Sequence, residues 1–277
     1  RSRFARGSGA SQVIQLKSPR EIDRMAVAGE MVALTFQAIQ PLIVPGTPTI
    51  EIDEAVRDSV HDLGGKPLFL GYHGFPAHSC ISVNEQVVHG IPGPRKLQDG
   101  DLVSIDIGIG AEGFCGDSAR SFLIGEGSSS SIRTLKVCRE ALAAGIAAAI
   151  PGNTLVKLVQ EIETRIRDAK LGLVEKYVGH GIGREMHEEP QVPNFVNRSL
   201  KQNDLELRPG LVLAIEPMVN GGTGEVYTLD DGWTVVTADS EVSAHCEHTV
   251  AVTEDGPRVL TLAPGEAWPP IPGTPGQ

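Results

Sequence analysis

No two cysteines in the chain form a CxxC pair. Cys80, Cys115, Cys138 and Cys246 stand far apart in 277 residues. That spacing excludes a zinc ribbon and a thioredoxin-type redox motif. Four cysteines in so long a chain make no disulfide scaffold and suit a reducing cytoplasm. Basic residues are also scarce: 24 Lys and Arg against 35 Asp and Glu give a net charge of −11. A nucleic-acid surface would want the opposite balance. No apolar run reaches the length of a membrane span, and the longest, ALAAGIAAAI, is stopped by Pro151-Gly152. The opening RSRFARGSGASQ is basic and Gly/Ser-rich with no apolar stretch behind it, so it does not read as a secretory signal. The chain starts without Met, which suggests processing or truncation, and residues 1–17 are expected to be a flexible extension. The Pro/Gly-rich end, 263–277, reads as a flexible tail.

Core-forming residues are present: 40% of the chain is apolar, enough for one large domain over 18–262. Ser18, Pro19 and Glu21 spell a helix start, and apolar residues at helical spacing predict a helix over roughly 19–40. TPTIEIDEAVRDSVHDLGG predicts a second helix, stopped by Gly64-Gly65. SSSSIRTLKVCREALAAGIAAAI and TLVKLVQEIETRIRDAKLG predict two more. Strands are expected around Asn84-Glu85, in DLVSIDIGI and GDSARSFLI, and in LVLAIEPMV, WTVVTAD and SAHCEHTVAVT. The helical pairs echo one another. Pro45-Gly46 matches Pro151-Gly152, and at the same offset Ile50, Ile52, Val56, Val60 and Asp62 meet Val156, Leu158, Ile162, Ile166 and Asp168. Two α-α-β-β halves would follow, although any two amphipathic helices share some apolar positions.

The chemistry-bearing residues converge on a metal. In DIGIGAEGFCGD a hairpin turning at Ala111-Glu112 would set Asp106 directly opposite Asp117, both on one face. Two facing carboxylates repel unless a cation lies between them, or unless both are exposed turn residues. Glu216 in LVLAIEPMV and Glu247 in SAHCEHTVAV lie inside apolar strands, where a carboxylate is costly unless it is paired, metal-bound or on an exposed edge. His180, in GHGIGREMHEEP, adds one nitrogen. Four carboxylates balance two divalent ions in charge. Mn, Fe, Co and Zn all suit such a donor set. A water shared by two such ions becomes hydroxide near neutral pH and attacks a carbonyl, which points to amide hydrolysis. His89 and His187 remain; His187 either donates to an oxyanion formed on attack or is an ordinary satisfied histidine. His61, His73 and His78 read as ordinary histidines. The glycines of GHGIGRE lack the spacing and the following Lys-Ser/Thr of a phosphate loop.

GYHGFPAHSCISVNEQVVHGIP, VSIDIGIGAEGFCGDSAR, GHGIGREMHEEPQVPN, AIEPMV, DGWTVVTAD and CEHTVAVTEDGP, in this order, resemble the type I methionine aminopeptidases from about Ser18 to Leu260. The resemblance implies an α+β pita-bread (creatinase/aminopeptidase) fold, two pseudo-symmetric halves around a dinuclear site. It implies that Asp106, Asp117, His180, Glu216 and Glu247 hold two divalent ions, with Asp117 and Glu247 bridging. It implies Glu216 as proton shuttle, His187 at the carbonyl oxygen and His89 near the scissile amide. Tyr72, Phe75, Cys80 and Trp233 would line the methionine pocket, where a soft thioether suits rings and a thiol. Glycines beside His180 would let substrate approach. Two positions depart from the pattern: Met186 stands where an aromatic is common in bacterial members, and Phe69 where a smaller residue is frequent. The implied activity is removal of the initiator Met from nascent chains with a small second residue, in the cytoplasm and at the ribosome. The implied enzyme is a monomer, with no membrane and no specific nucleic-acid partner. The short spacing from His187 to Glu216 and an N-terminus without a Cys/His cluster suit the short bacterial form. A prolidase or aminopeptidase P, or a binding protein on the same fold, are the rivals; the first usually carries an extra N-terminal domain, and the second loses ligands.

Overall fold

The computed structural model describes residues 14–268; residues 1–13 and 269–277, most of the expected extension and tail, lie outside the described residues. Four helices carry the architecture: α1 (Pro19–Ile39), α2 (Thr49–Asp62), α3 (Ser129–Ala148) and α4 (Leu155–Asp168). α1 begins on the capping box read from its sequence. The Ser18 hydroxyl accepts from the Glu21 N–H, and the Ser18 N–H donates to the Glu21 carboxylate. Its Ile22, Met25, Val32, Phe36 and Ile39 share the buried face. At α3 and α4 the N-cap hydroxyls alone act: Ser128 accepts from the Ser131 N–H and Thr154 from the Lys157 N–H.

Beneath α1 and α2 lies the hairpin Leu102–Ala111 and Phe114–Leu123, extended by Cys80–Val83 and Lys66–Pro67. Beneath α3 and α4 lies a second sheet, with Val212–Ile215 between His248–Thr253 and Gly179–Gly181, and with Gly256–Val259 and Glu188–Val192 at its edges. Each half packs its own apolar core. Val32, Phe36, Ile52, Val56, Ile105 and Ile107 fill the first. Leu142, Leu158, Ile162, Ile166, Leu213 and Ile215 fill the second.

The internal echo is a pseudo-twofold repeat written in hydrogen bonds. Gly46 and Gly152 both have positive φ (95° and 83°), and their N–H groups donate to Leu97 O and Leu207 O. Leu97 and Leu207 donate back, to Thr47 O and Asn153 O. Gly100 and Gly210 then repeat the device, with φ 91° and 97°, donating to Ile124 O and Val252 O. Counting along the strands from these anchors places Asp106 on Glu216. Asp106 faces Ala119 across the hairpin. Glu216 follows Ile215, which faces His248, and so lies across from Glu247. Ala119 therefore corresponds to Glu247, and Asp117 to His245.

Two expectations need correcting. The hairpin turns at Glu112-Gly113, both at positive φ (53° and 77°), not at Ala111-Glu112. This is the two-residue turn whose twist suits a hairpin. Asp117 consequently faces Gly108, and Asp106 faces Ala119. The two aspartates are diagonal rather than direct neighbours, still on one face. Glu216 and Glu247 also do not sit within continuous strands. Val212–Ile215 stops before Glu216-Pro217 and pairing resumes at Met218–Asn220; Ser243–His245 and His248–Thr253 are likewise separated by Cys246-Glu247. Pro217 has no N–H for a ladder. Across from it, the Glu247 N–H leaves its own sheet and donates to Ala119 O at 2.8 Å. Both chains pass there from the five-stranded sheet into a three-stranded one.

Candidate metal centre

Four carboxyl groups from both halves meet under the pseudo-twofold. Asp117 and Glu247 are buried, at 4% and 2% exposure. Asp106 Oδ1, Asp117 Oδ1 and Glu247 Oε1 are buried acceptors without a hydrogen bond. Burial first, then the neighbouring carboxylates Asp106 and Glu216, pushes Asp117 well above the usual carboxylate range. Burial does the same to Glu247, reinforced by Asp117, Glu216 and Asp106. Burial raises Asp106 to about 7, with His245 opposing and Glu216 adding. Glu216 is raised to about 7 by burial, with His180 opposing. Such a group must either hold protons or hold a cation. Oxygen-rich ligation with one nitrogen fits a divalent ion, and one atom each from Asp117, His180 and Glu247 lie within 4.8 Å of one another.

His180 is set up as the nitrogen donor. Its Nδ1 lies 2.9 Å from Gly181 O. A carbonyl only accepts, so Nδ1 carries the proton and Nε2 keeps its lone pair. That Nε2 faces Glu216 Oε1 at 3.5 Å. His187 stands beside it, ring centroids 4.2 Å apart. The Tyr72 hydroxyl meets His187 Nδ1 at 2.7 Å. Desolvation in the cleft, with His180, His89 and His73 adding, holds the His187 imidazole below its ordinary pKa. His89, at φ 58°, is driven down to about 3, chiefly by burial. Both rings are therefore neutral at neutral pH.

The residues expected at the methionine pocket gather in one apolar cluster. Phe75 packs edge-on against Trp233 at 5.2 Å. Cys80 lies directly across the sheet from Asp106. Tyr72 borders them, and Phe69 and Met186 belong to the same cluster. Phe69 lies over Gly108, where a Cβ would strike its ring, and Gly108 is the residue opposite Asp117. His78 is an ordinary partnered histidine, bound to Asp53 Oδ2 at 3.0 Å. His61 is exposed, beside Asp62.

The model of metallopeptidase family M24 matches residues 23–254. The chain belongs to that family. Its relatives include methionine aminopeptidase 1 of Bacillus subtilis, 44% identical across 90% of this chain and 99% of that one. Methionine aminopeptidase 1 of Mycobacterium tuberculosis is 46% identical across 91% and 96%. The crystal structure of the Thermotoga maritima methionine aminopeptidase superimposes with a TM-score of 0.86 at 39% identity, covering 90% of this chain and all 100% of that one. A prolidase from Pyrococcus furiosus shares the fold at 22% identity and a TM-score of 0.70. Membership of M24 makes the chain a metal-dependent hydrolase with the pita-bread fold.

Three features of this M24 site were not read from sequence. The first is the Tyr72–His187 contact, which only the turn at Gly71–Phe75 creates. The second is a buried ion pair, Lys17 Nζ to Glu188 Oε2 at 2.5 Å. Glu188 Oε1 also accepts from the Arg184 and Glu185 N–H groups, fixing the loop that carries His187. The third is His245, whose Nε2 lies 3.5 Å from Glu216 Oε2. The glycines flanking His180 let the neighbouring strands come close. A Cβ on Gly179 would collide with Ala214 O, and one on Gly181 with Glu189 O.

Proposed function

We propose that the chain is a methionine aminopeptidase that hydrolyses the first peptide bond of polypeptides beginning with Met, preferring a small second residue. One observation carries the reading: the buried Asp117–His180–Glu247 cluster is joined, through His187 beside His180 and Tyr72 on His187, to the apolar cluster of Phe75 and Trp233. A thioether side chain suits such a pocket. Residues 18–262 are the catalytic domain. Asp106, Asp117, His180, Glu216 and Glu247 hold two divalent ions, with Mn, Fe, Co and Zn all suited to the donor set. Bound there, the ions supply Lewis acidity and a water of lowered pKa.

The side chains do the rest. Glu216 takes and returns a proton at its carboxylate. The Tyr72 hydroxyl donates to His187 Nδ1, which leaves the His187 proton on Nε2 as a donor to the developing oxyanion. His89 borders the scissile amide. The substrate α-amine has a pKa near about 7.7–8, so its neutral form is within reach at neutral pH. Phe75, Trp233, Cys80 and Tyr72 receive the methionine side chain and exclude water around it. Among the described residues no helix is long and apolar enough to cross a membrane. Action as a monomer on nascent chains at the ribosome is part of the same proposal, and the four free cysteines suit a reducing cytoplasm.

The test is cleavage of Met-Gly-Met-Met, Leu-Gly-Met-Met and Gly-Pro-Met by metal-free protein with Mn, Fe, Co or Zn added singly, read by mass spectrometry. Metal-dependent loss of the first Met alone is expected. Cleavage before proline would favour the aminopeptidase P branch, and no cleavage with ions bound would favour a binding protein.

A further inference from the structure

We propose that His245 is a sixth residue of the metal centre, a positioning residue that holds the Glu216 carboxylate through Nε2. The inference rests on the reading of Glu216 as a metal ligand. The pseudo-twofold that carries Asp106 onto Glu216 carries Asp117 onto His245. The match extends to the groups that fix each backbone. The Thr249 hydroxyl donates to Asp117 O at 2.8 Å and accepts from the Asp117 N–H at 3.1 Å. The Ser121 hydroxyl, its counterpart, donates to His245 O at 2.7 Å and accepts from the His245 N–H at 3.1 Å. Ser104 accepts from the same N–H. His245 is thus clamped on both sides of its Cα, as Asp117 is, and points into the same space from the other half.

The ring has an unmet need there. His245 is 3% exposed, and its Nε2 is buried without a hydrogen bond. A buried ring nitrogen left unpaired is costly. The acceptor it faces is Glu216 Oε2, at 3.5 Å. His180 Nε2 faces the other oxygen of the same carboxylate, also at 3.5 Å. Glu216 is bracketed by two imidazoles, one on each oxygen. Their roles differ. The His180 proton is committed to Gly181 O, which leaves Nε2 to ligate. His245 Nε2, carrying its proton, fixes the rotation of Glu216 in the way an outer hydrogen-bond partner orients a ligating carboxylate.

The test compares His245→Ala and His245→Gln with the wild-type full chain. Mn2+ binding is read by calorimetry, and kcat and KM on Met-Gly-Met-Met are read separately. The Ala variant is expected to bind the same number of ions about 10–100-fold more weakly, with kcat lowered and KM little changed. Gln retains an N–H donor at that position and is expected to recover most of both losses. Wild-type affinity in His245→Ala would overturn the proposal. So would loss of one ion that Gln does not restore, which would make His245 a direct ligand. Equal losses in both variants with a lowered Tm would reduce it to packing. Absence of Mn2+ binding by the wild type would sink the metal reading itself, a failure distinct from the other three.

Discussion

Removing the metal should make stability fall as pH rises through neutrality. The sign follows from which state holds more protons. Asp117 and Glu247 are held well above the usual carboxylate range by burial, so the folded protein keeps protons that the unfolded chain has released. Below about pH 6.5 the effect is masked. His89 and His248 are driven down to about 3 by burial, and folding forbids them protons that the unfolded chain would take up. Above that pH the unfolded histidines shed the protons they still hold, and the carboxyl groups dominate. Cys246, drawn down to about 6 by its hydrogen bond from Cys138, works the other way and offsets one proton. One of the two strongly raised carboxyls then remains, and Asp106 and Glu216, both near 7, add to it early in the window. One extra native-state proton costs about 1.4 kcal/mol per pH unit, so stability drops by about 2 kcal/mol between about pH 6.5 and pH 8. For a domain of this size that lowers Tm by roughly 4–8 °C. Saturating Mn2+ should reverse the slope, because ligation requires the deprotonated carboxylates. The assay is a pair of pH-resolved calorimetric melts, with EDTA and with Mn2+. A metal-free Tm that is flat or rises across the window would refute the reasoning.

Three further outcomes are expected. His180→Ala should lose metal affinity, whereas His187→Ala should keep metal and lose turnover; equal metal loss in both would end this division of roles. Tyr72→Phe removes the 2.7 Å contact to His187 Nδ1, and kcat should fall roughly fivefold, about 1 kcal/mol, at unchanged Mn2+ affinity. Lys17→Met strips the partner from Glu188, 14% exposed at its side chain. Urea unfolding should show a loss of about 3–5 kcal/mol.

The helices and the twofold echo were legible because they rest on local rules. Ser18 and Glu21 cap within one turn, and Ile52, Val56 and Val60 repeat at helical spacing whatever surrounds them. The candidate ligands stood out because carboxylates in apolar runs are conspicuous. The turn was misjudged by one residue because Glu112 must adopt positive φ, which its side chain gives little reason to expect. The breaks at Glu216 and Cys246 depend on two strands failing together. Pro217 hinted at one of them, and nothing local hinted at the other. His245 stands two residues before Glu247, a spacing that says nothing of Asp117. Its relation to Asp117 emerges only when the two halves are aligned by their hydrogen bonds.

The proposed division of ligands between the halves also dictates when the site can exist during folding. Asp106 and Asp117 reside on the first hairpin; His180, Glu216 and Glu247 arrive with the second half. The Glu247 N–H reaches its acceptor only on Ala119, across the boundary between halves. Closing so long a stretch of chain is an entropic barrier that must be crossed before any non-local contact rewards it. The ion cannot nucleate the fold, since no single half offers the donors to bind it tightly. Metal uptake is therefore a late event, and it reports that both halves have docked. A chain stalled after Leu123 has two helices and a hairpin to build on, and no centre.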